Sequence, residues 1–159
     1  GDAISIALMK KKKFGKLDFK KFHPAGNLGK KLKTASDVML IKNRIPFVNE
    51  NEVMKKALKI LNAKKLGFLV VVNNQKLNTG IFTDGDLKRL MQKKKDIKKL
   101  KIKSFMTRKP YIVEENVLAS EILAQMNKRE ITNVCVYKKK DKRKIVGVIH
   151  IHNLLKILK

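Results

Sequence analysis

The chain repeats itself, and the repeat dictates the kind of core it can build. "SDVM" at residues 36–39 is echoed by "KSFM" at residues 103–106, an offset of 67. "TGIFTDGDLKRL" from Thr79 is echoed by "VGVIHIHNLL" from Val146 at the same offset. Between these anchors, "KALKILNAKKLGFLVVV" runs alongside "SEILAQMNKREITNVCVY" at an offset of 65. The two-residue differences fall after each Met and before each Gly, in connections that tolerate changes of length.

Each unit reads the same way. A short strand ("RIPFV", "PYIV") leads into an amphipathic helix ("NEVMKKALKILNAKK", "NVLASEILAQMNKR"). Two strands follow ("GFLVVV" and "TGIFT"; "NVCVY" and "IVGVIHI"), then a closing helix ("DGDLKRLMQKK", "HNLLKIL"). Val53, Ala57, Ile60 and Leu61 keep the i, i+3, i+4 spacing of one helical face. The polar stretches "NNQKLN" and "KKKDKRK" read as turns. A three-stranded sheet with two helices on one face leaves its other face apolar and uncovered. Two such β-α-β-β-α units can pack those faces together about a pseudo-twofold axis, which predicts an α+β fold.

Composition narrows the function classes. A chain of 159 residues with 43% hydrophobic content can hold one ordinary core or two small coupled ones. The run "LGFLVVV" is too short to span a bilayer, so no membrane role is expected. The opening "GDAISIALMKKKKF" has no basic region before its apolar stretch and reads like the middle of a helix, which suggests a piece of a larger protein. The single cysteine, Cys135, excludes an internal disulfide and suits a reducing cytoplasm. Its place in the alternating "TNVCVY" predicts a buried small hydrophobe rather than a reactive thiol. The net charge of +26 invites a nucleic-acid reading, but the lysines are spread through every segment and only five arginines occur. Aromatics make up 6% of residues and Trp is absent, so stacking platforms are missing. No specific nucleic-acid binding is expected, and a basic nucleic-acid-binding domain stands only as the lesser alternative.

"GIFTDGDL" at residues 80–87 is the densest polar cluster at a strand end. Thr83 or Asp84 can cap the helix that follows. Alternatively, Asp86 can accept both hydroxyls of a ribose while Thr83 and the first-turn amides face a phosphate. In the second repeat the matching positions are His150, Ile151, His152 and Asn153. Asn153 has no two-oxygen anionic acceptor for a diol. His150 and His152, two apart on a predicted strand, would share a face. Such a pair can hold a transition metal or an anion, or simply pack against backbone. His23, in the tight "FHPAGNLG" turn, is either structural or an acid/base group aimed at a neighbouring site.

From Ser36 to Lys159 the duplicate, with its "DVM" and "SFMT" openings and its Gly-Ile-Phe-Thr-Asp-Gly-Asp-Leu close, resembles a tandem CBS-domain pair (the cystathionine-β-synthase module). "GDAISIALM" and "FKKFHPAGNLGKKL" resemble the end of the sugar-isomerase domain in bacterial D-arabinose-5-phosphate isomerases, which carry a CBS pair after that domain. The resemblance implies an isomerase remnant and linker at 1–35, a first CBS repeat at 36–95 and a second at 96–159. It implies an intact enzyme that interconverts D-ribulose 5-phosphate and D-arabinose 5-phosphate for Kdo, a component of lipopolysaccharide or capsule. His23 would be catalytic only in that intact enzyme, and this chain alone is expected to be inactive. The CBS pair would be regulatory, or a purely structural oligomerisation module with empty clefts. In CBS modules Thr-x-x-Asp is a nucleotide-binding signature, matched here by Thr83 and Asp86 with Asp84 between them. Gly67 and Phe68 fall where such ligands rest a base. The isomerases carry His-x-His-Asp in the second repeat, so His150 and His152 fit and Asn153 departs. The implied ligand is a nucleotide or nucleotide-sugar, such as AMP, ATP or CMP-Kdo. Self-association as a dimer is expected, and as a tetramer in the intact enzyme. No metal or other cofactor is assigned.

Overall fold

A computed structural model describes residues 32–159. The first repeat contains β1 (Phe47–Asn49), α2 (Met54–Lys64), β2 (Phe68–Val72), β3 (Asn78–Thr83) and α3 (Asp84–Lys93), after a one-turn helix α1 (Ala35–Val38). The second contains β4 (Ile112–Glu114), α4 (Ala119–Arg129), β5 (Asn133–Lys138), β6 (Asp141–His150) and α5 (Ile151–Leu158). Each sheet is three-stranded, ordered β1-β2-β3 or β4-β5-β6. The first pair in each is parallel and the second antiparallel. The offset of 65 places α4 on α2 and β4 on β1 residue for residue.

Alternation along the strands sorts side chains between two environments. Leu69 and Val71 point toward Met54, Ala57 and Leu61 beneath the helices. Val70 and Val72 point the other way, with Phe68, and meet Cys135, Ile145 and Val148 of the second sheet. That inter-sheet layer completes the apolar face which a single repeat would leave open. Each fully buried aliphatic or aromatic side chain there contributes about 1.5–3 kcal/mol. Cys135 is buried in this layer, as its alternating pattern predicts, and burial pushes its thiol pKa to about 12.

The two repeats also exchange their opening segments. Ala35 and Val38 of α1 join the second repeat's core with Val113, Ala119 and Leu154. Ile102 and Met106 join the first repeat's core. Leu40 and Val148 exchange backbone bonds of 2.8 and 3.0 Å, while Ile81 and Thr107 exchange bonds of 2.9 and 2.8 Å. Neither α2 nor α4 has a side-chain cap. Their orphan amides instead find backbone from the crossing segments: Met54 donates to Leu100 and Ala119 to Lys33. The two anchors of the sequence repeat touch each other here. A Cβ on Gly147 would lie 2.8 Å from Met39 Cβ, and one on Gly80 would lie 2.5 Å from Thr107 O and 3.0 Å from Met106 Sδ. Glycine is required because the crossing Met packs directly on the strand backbone.

Two local expectations change. "KKKDKRK" is not a long turn: β5 and β6 close around Lys139 and Lys140, with Lys138 opposite Asp141. β6 includes residues 141–144, where the register shifts between the Tyr137–Ile145 and Lys138–Asp141 pairs, and their exposed charged side chains carry no apolar alternation to announce a strand. Nor do His150 and His152 share a strand. His150 ends β6, and His152 lies in the first turn of α5. The helix starts there because the His150 side chain supplies its cap: Nδ1 accepts the His152 amide at 3.2 Å. Among the described residues no helix is long and apolar enough to cross a membrane.

Candidate functional site

The junction of β3 and α3 builds the site. Thr83 is the N-cap of α3, and its Oγ1 accepts the Asp86 amide at 3.1 Å. Asp86 Oδ2 accepts the Thr83 amide at 3.0 Å, which closes a reciprocal capping box. The capping residue is therefore Thr83 rather than Asp84, with Asp86 as its partner one turn in. The Asp86 carboxylate does more than cap. The Thr107 hydroxyl lies 3.3 Å from Oδ1 and 3.2 Å from Oδ2, and Arg89 donates to Oδ1 at 2.6 Å. Asp86 is buried, 9% exposed, which is rare for a carboxylate and is tolerated because every partner is a donor.

This carboxylate sits at the edge of a cleft of about 770 Å³ between the repeats. Leu66, Ile81, Pro110, Tyr111 and Ile131 supply apolar wall, while Thr83, Asp86 and Thr107 form a polar end. Three cations, Arg89, Lys109 and Arg129, share the cleft with three carboxylates, Asp84, Asp86 and Glu130. The Arg129 guanidinium lies 4.0 Å from the centroid of the Tyr111 ring, a cation–π stack that holds it in place. Gly67 lies at φ +77°, and its carbonyl accepts the Asp84 amide at 2.9 Å. A Cβ there would stand 2.9 Å from Asp84 Oδ2, so glycine keeps this wall low.

The CBS-domain family model matches residues 35–93 and again residues 102–159. The chain belongs to the CBS-domain family. It is 38% identical over 157 residues to arabinose 5-phosphate isomerase KdsD of Escherichia coli K12, covering 98% of this chain and 47% of that enzyme. The chain thus spans about half the length of the curated relatives it matches. Among solved structures, it is 25% identical to the CBS pair of MJ0100 in complex with 5′-methylthioadenosine and S-adenosyl-L-methionine, with a TM-score of 0.67 over 79% of this chain and 95% of that one. It also resembles CBSX2 in complex with AMP, at 20% identity and a TM-score of 0.64 over 78% of this chain and 94% of that one.

Of the residues singled out from the sequence, the CBS fold brings Gly67, Thr83, Asp84, Asp86 and His150 to one cleft. It leaves Phe68, His152 and Asn153 off its walls. Phe68 is fully buried in the layer between the sheets, because it opens β2 with its side chain turned inward. The imidazoles of His150 and His152 lie 4.9 Å apart, tilted by 30°. Burial, and then the neighbouring His152, hold the His150 pKa below its ordinary value. His23 lies outside the described residues.

Sequence reasoning missed Thr107, Arg89 and the Tyr111–Arg129 stack. Thr107 had a legible signal. It follows Met106, the repeat anchor that lies against Gly80, and that contact carries Thr107 alongside Ile81 to Asp86. Its counterpart after Met39 is Leu40, beside Val148. The first repeat therefore pairs Thr107 with Asp86 where the second offers Leu40 and Asn153.

Proposed function

We propose that this CBS pair binds a nucleotide or nucleotide-sugar in the inter-repeat cleft. Within a D-arabinose-5-phosphate isomerase, occupancy would regulate conversion of D-ribulose 5-phosphate to D-arabinose 5-phosphate and so the supply of Kdo. The buried Asp86 carboxylate carries the reading, because it stands with Thr83 and Thr107 at the polar end of a cleft with apolar walls and a cationic set. Those three environments match a ribose diol, a base and a phosphate. The adenosine-type ligands named for MJ0100 and CBSX2 are the same chemistry. The likeness to KdsD supports the choice of parent enzyme, in which His23 would serve catalysis. A cytoplasmic setting fits the single, buried Cys135.

Calorimetric titration of the chain with AMP, ATP and CMP-Kdo tests the reading, followed by assay of the intact enzyme with whichever ligand binds. Saturable heat and a change in turnover are expected. No heat from any of them at millimolar concentration would leave the structural alternative. That alternative has its own support in the apolar side chains Met91 and Leu155, exposed at 62% and 41% on α3 and α5. These faces are proposed to meet a second copy of the chain. Light scattering at ~100 µM in physiological salt, which screens charge beyond about 8 Å, is expected to give a dimer mass. A monomer mass under these conditions would count against it.

A further inference from the structure

We propose that Arg89 is the specificity-determining residue of the cleft, an internal competitor that makes it select ribosides carrying a phosphate over those without one. This assignment rests on the nucleotide-binding reading above and adds which ligand the site prefers and why.

A carboxylate offers about four lone-pair positions on its two oxygens. Three donors already occupy Asp86: the Thr83 amide, the Thr107 hydroxyl and Arg89. A vicinal diol brings two more, so one resident donor must leave before a ribose can bind. The Thr83 amide is fixed by the capping box and by the start of α3. Thr107 is pinned through its backbone to Ile81 by bonds of 2.9 and 2.8 Å, and its hydroxyl oxygen lies 3.3 and 3.2 Å from the two carboxylate oxygens, with one proton to donate. Arg89 is the mobile partner: its side chain is 66% exposed, hangs on a flexible stem and closes one edge of a carboxylate whose own side chain is 8% exposed.

Releasing Arg89 breaks a charge-assisted bond of 2.6 Å and leaves a guanidinium without its anion. The adjoining hollow of about 210 Å³ on that side offers only Lys93 and Lys94, and in the main cleft the two remaining carboxylates, Asp84 and Glu130, are matched in number by Lys109 and Arg129. A ligand phosphate in the main cleft supplies the missing anion, and a neutral 5′ group does not. Of the other two cations, Arg129 is already committed to the Tyr111 ring and to Gln125 Oε1 at 3.3 Å, and Lys109 offers a point charge without a planar fork. Arg89 therefore penalises every diol and compensates only the phosphorylated ones.

The test compares AMP with 5′-methylthioadenosine, which share base and diol and differ at the 5′ position. Both are titrated calorimetrically into wild type, Arg89→Met and Arg89→Lys, with melting curves to verify folding. Wild type is expected to prefer AMP by about tenfold or more, the worth of one charge-assisted bond. Arg89→Met is expected to bind 5′-methylthioadenosine more tightly and to leave AMP affinity about unchanged, so that the ratio collapses toward one. Arg89→Lys, which keeps the charge without the fork, is expected to restore part of the preference. An unchanged ratio in Arg89→Met, or equal loss for both ligands, would overturn the assignment while leaving the nucleotide site standing. Binding of neither ligand to any of the three proteins would instead overturn the site itself, and the assignment with it.

Discussion

The two repeats share a scaffold and differ in the chemistry placed on it. At scaffold positions they match in kind: Gly80 and Gly147 both receive a crossing Met, and Lys65 and Glu130 both end a helix in the left-handed region, at φ 57° and 55°. At the strand-to-helix junction they diverge. The first repeat caps α3 with a hydroxyl and a buried carboxylate, whereas the second caps α5 with an imidazole and has Asn153 one turn in. A duplicated fold constrains the residues that let backbone approach backbone, and leaves free those that face the cleft. One half of this cleft therefore carries the carboxylate proposed to take a diol, while the other lends it walls.

The largest expected effect breaks the comparison in the core. Phe68 and Asn133 open equivalent strands, yet Phe68 is fully buried and Asn133 only partly. Phe68→Ala is expected to cost about 3–5 kcal/mol in denaturant unfolding, and Asn133→Ala less than about 1 kcal/mol. Comparable losses would mean that the inter-sheet layer is more symmetric than its residues suggest.

Next comes the glycine pair. Gly80→Ala and Gly147→Ala are each expected to destabilise by about 1–3 kcal/mol through overpacking. Their rescue should differ. The close atoms around Gly147 all belong to the Met39 side chain, and Met39→Ala removes Sδ and Cγ and keeps only Cβ at 2.8 Å, so it should relieve most of the strain there. Around Gly80 the nearest atom is the Thr107 carbonyl, which Met106→Ala cannot remove. Double-mutant cycles on melting free energies check both halves.

The junctions sharpen the contrast further. Asp86→Ala removes the capping-box partner and is expected to lower stability by about 0.5–2 kcal/mol. Nucleotide affinity should fall about 10- to 150-fold in the same variant. Asn153→Ala, at the matching position, is expected to change stability by no more than about 0.5 kcal/mol. Paired melts and titrations separate capping from recognition: a stability loss with unchanged affinity would return Asp86 to a purely capping role.

The smallest expected effect is one of pH. The His150 cap requires an unprotonated Nδ1 to accept the His152 amide, and burial and His152 both disfavour the charged ring. A histidine pKa depressed on folding means that the unfolded chain binds the proton first. The stabilisation is thus complete above the ordinary value of 6.5 and is lost as pH falls through the folded pKa. The chain should be more stable at pH 7.5 than at pH 5.5, and His150→Asn should flatten that part of the profile. A slope equally steep in His150→Asn would move its origin elsewhere in the molecule.

Periodicity alone determined a good deal. The offsets of 67 and 65 located the two units, the alternation in "GFLVVV" and "NVCVY" placed their strands, and "GIFTDGDL" stood out as the cleft's polar end. These are local signals: side-chain direction follows from the period of the element, and capping needs only residues one turn apart. What the tertiary structure decided is everything that depends on the crossing of segments. Thr107 reaches Asp86 only because the second repeat's opening lies across the first. Phe68 turned to the core rather than the cleft because the second sheet offered it an apolar layer. Residues far apart in sequence become partners when burial brings them together, and a linear pattern carries no record of which unit covers which.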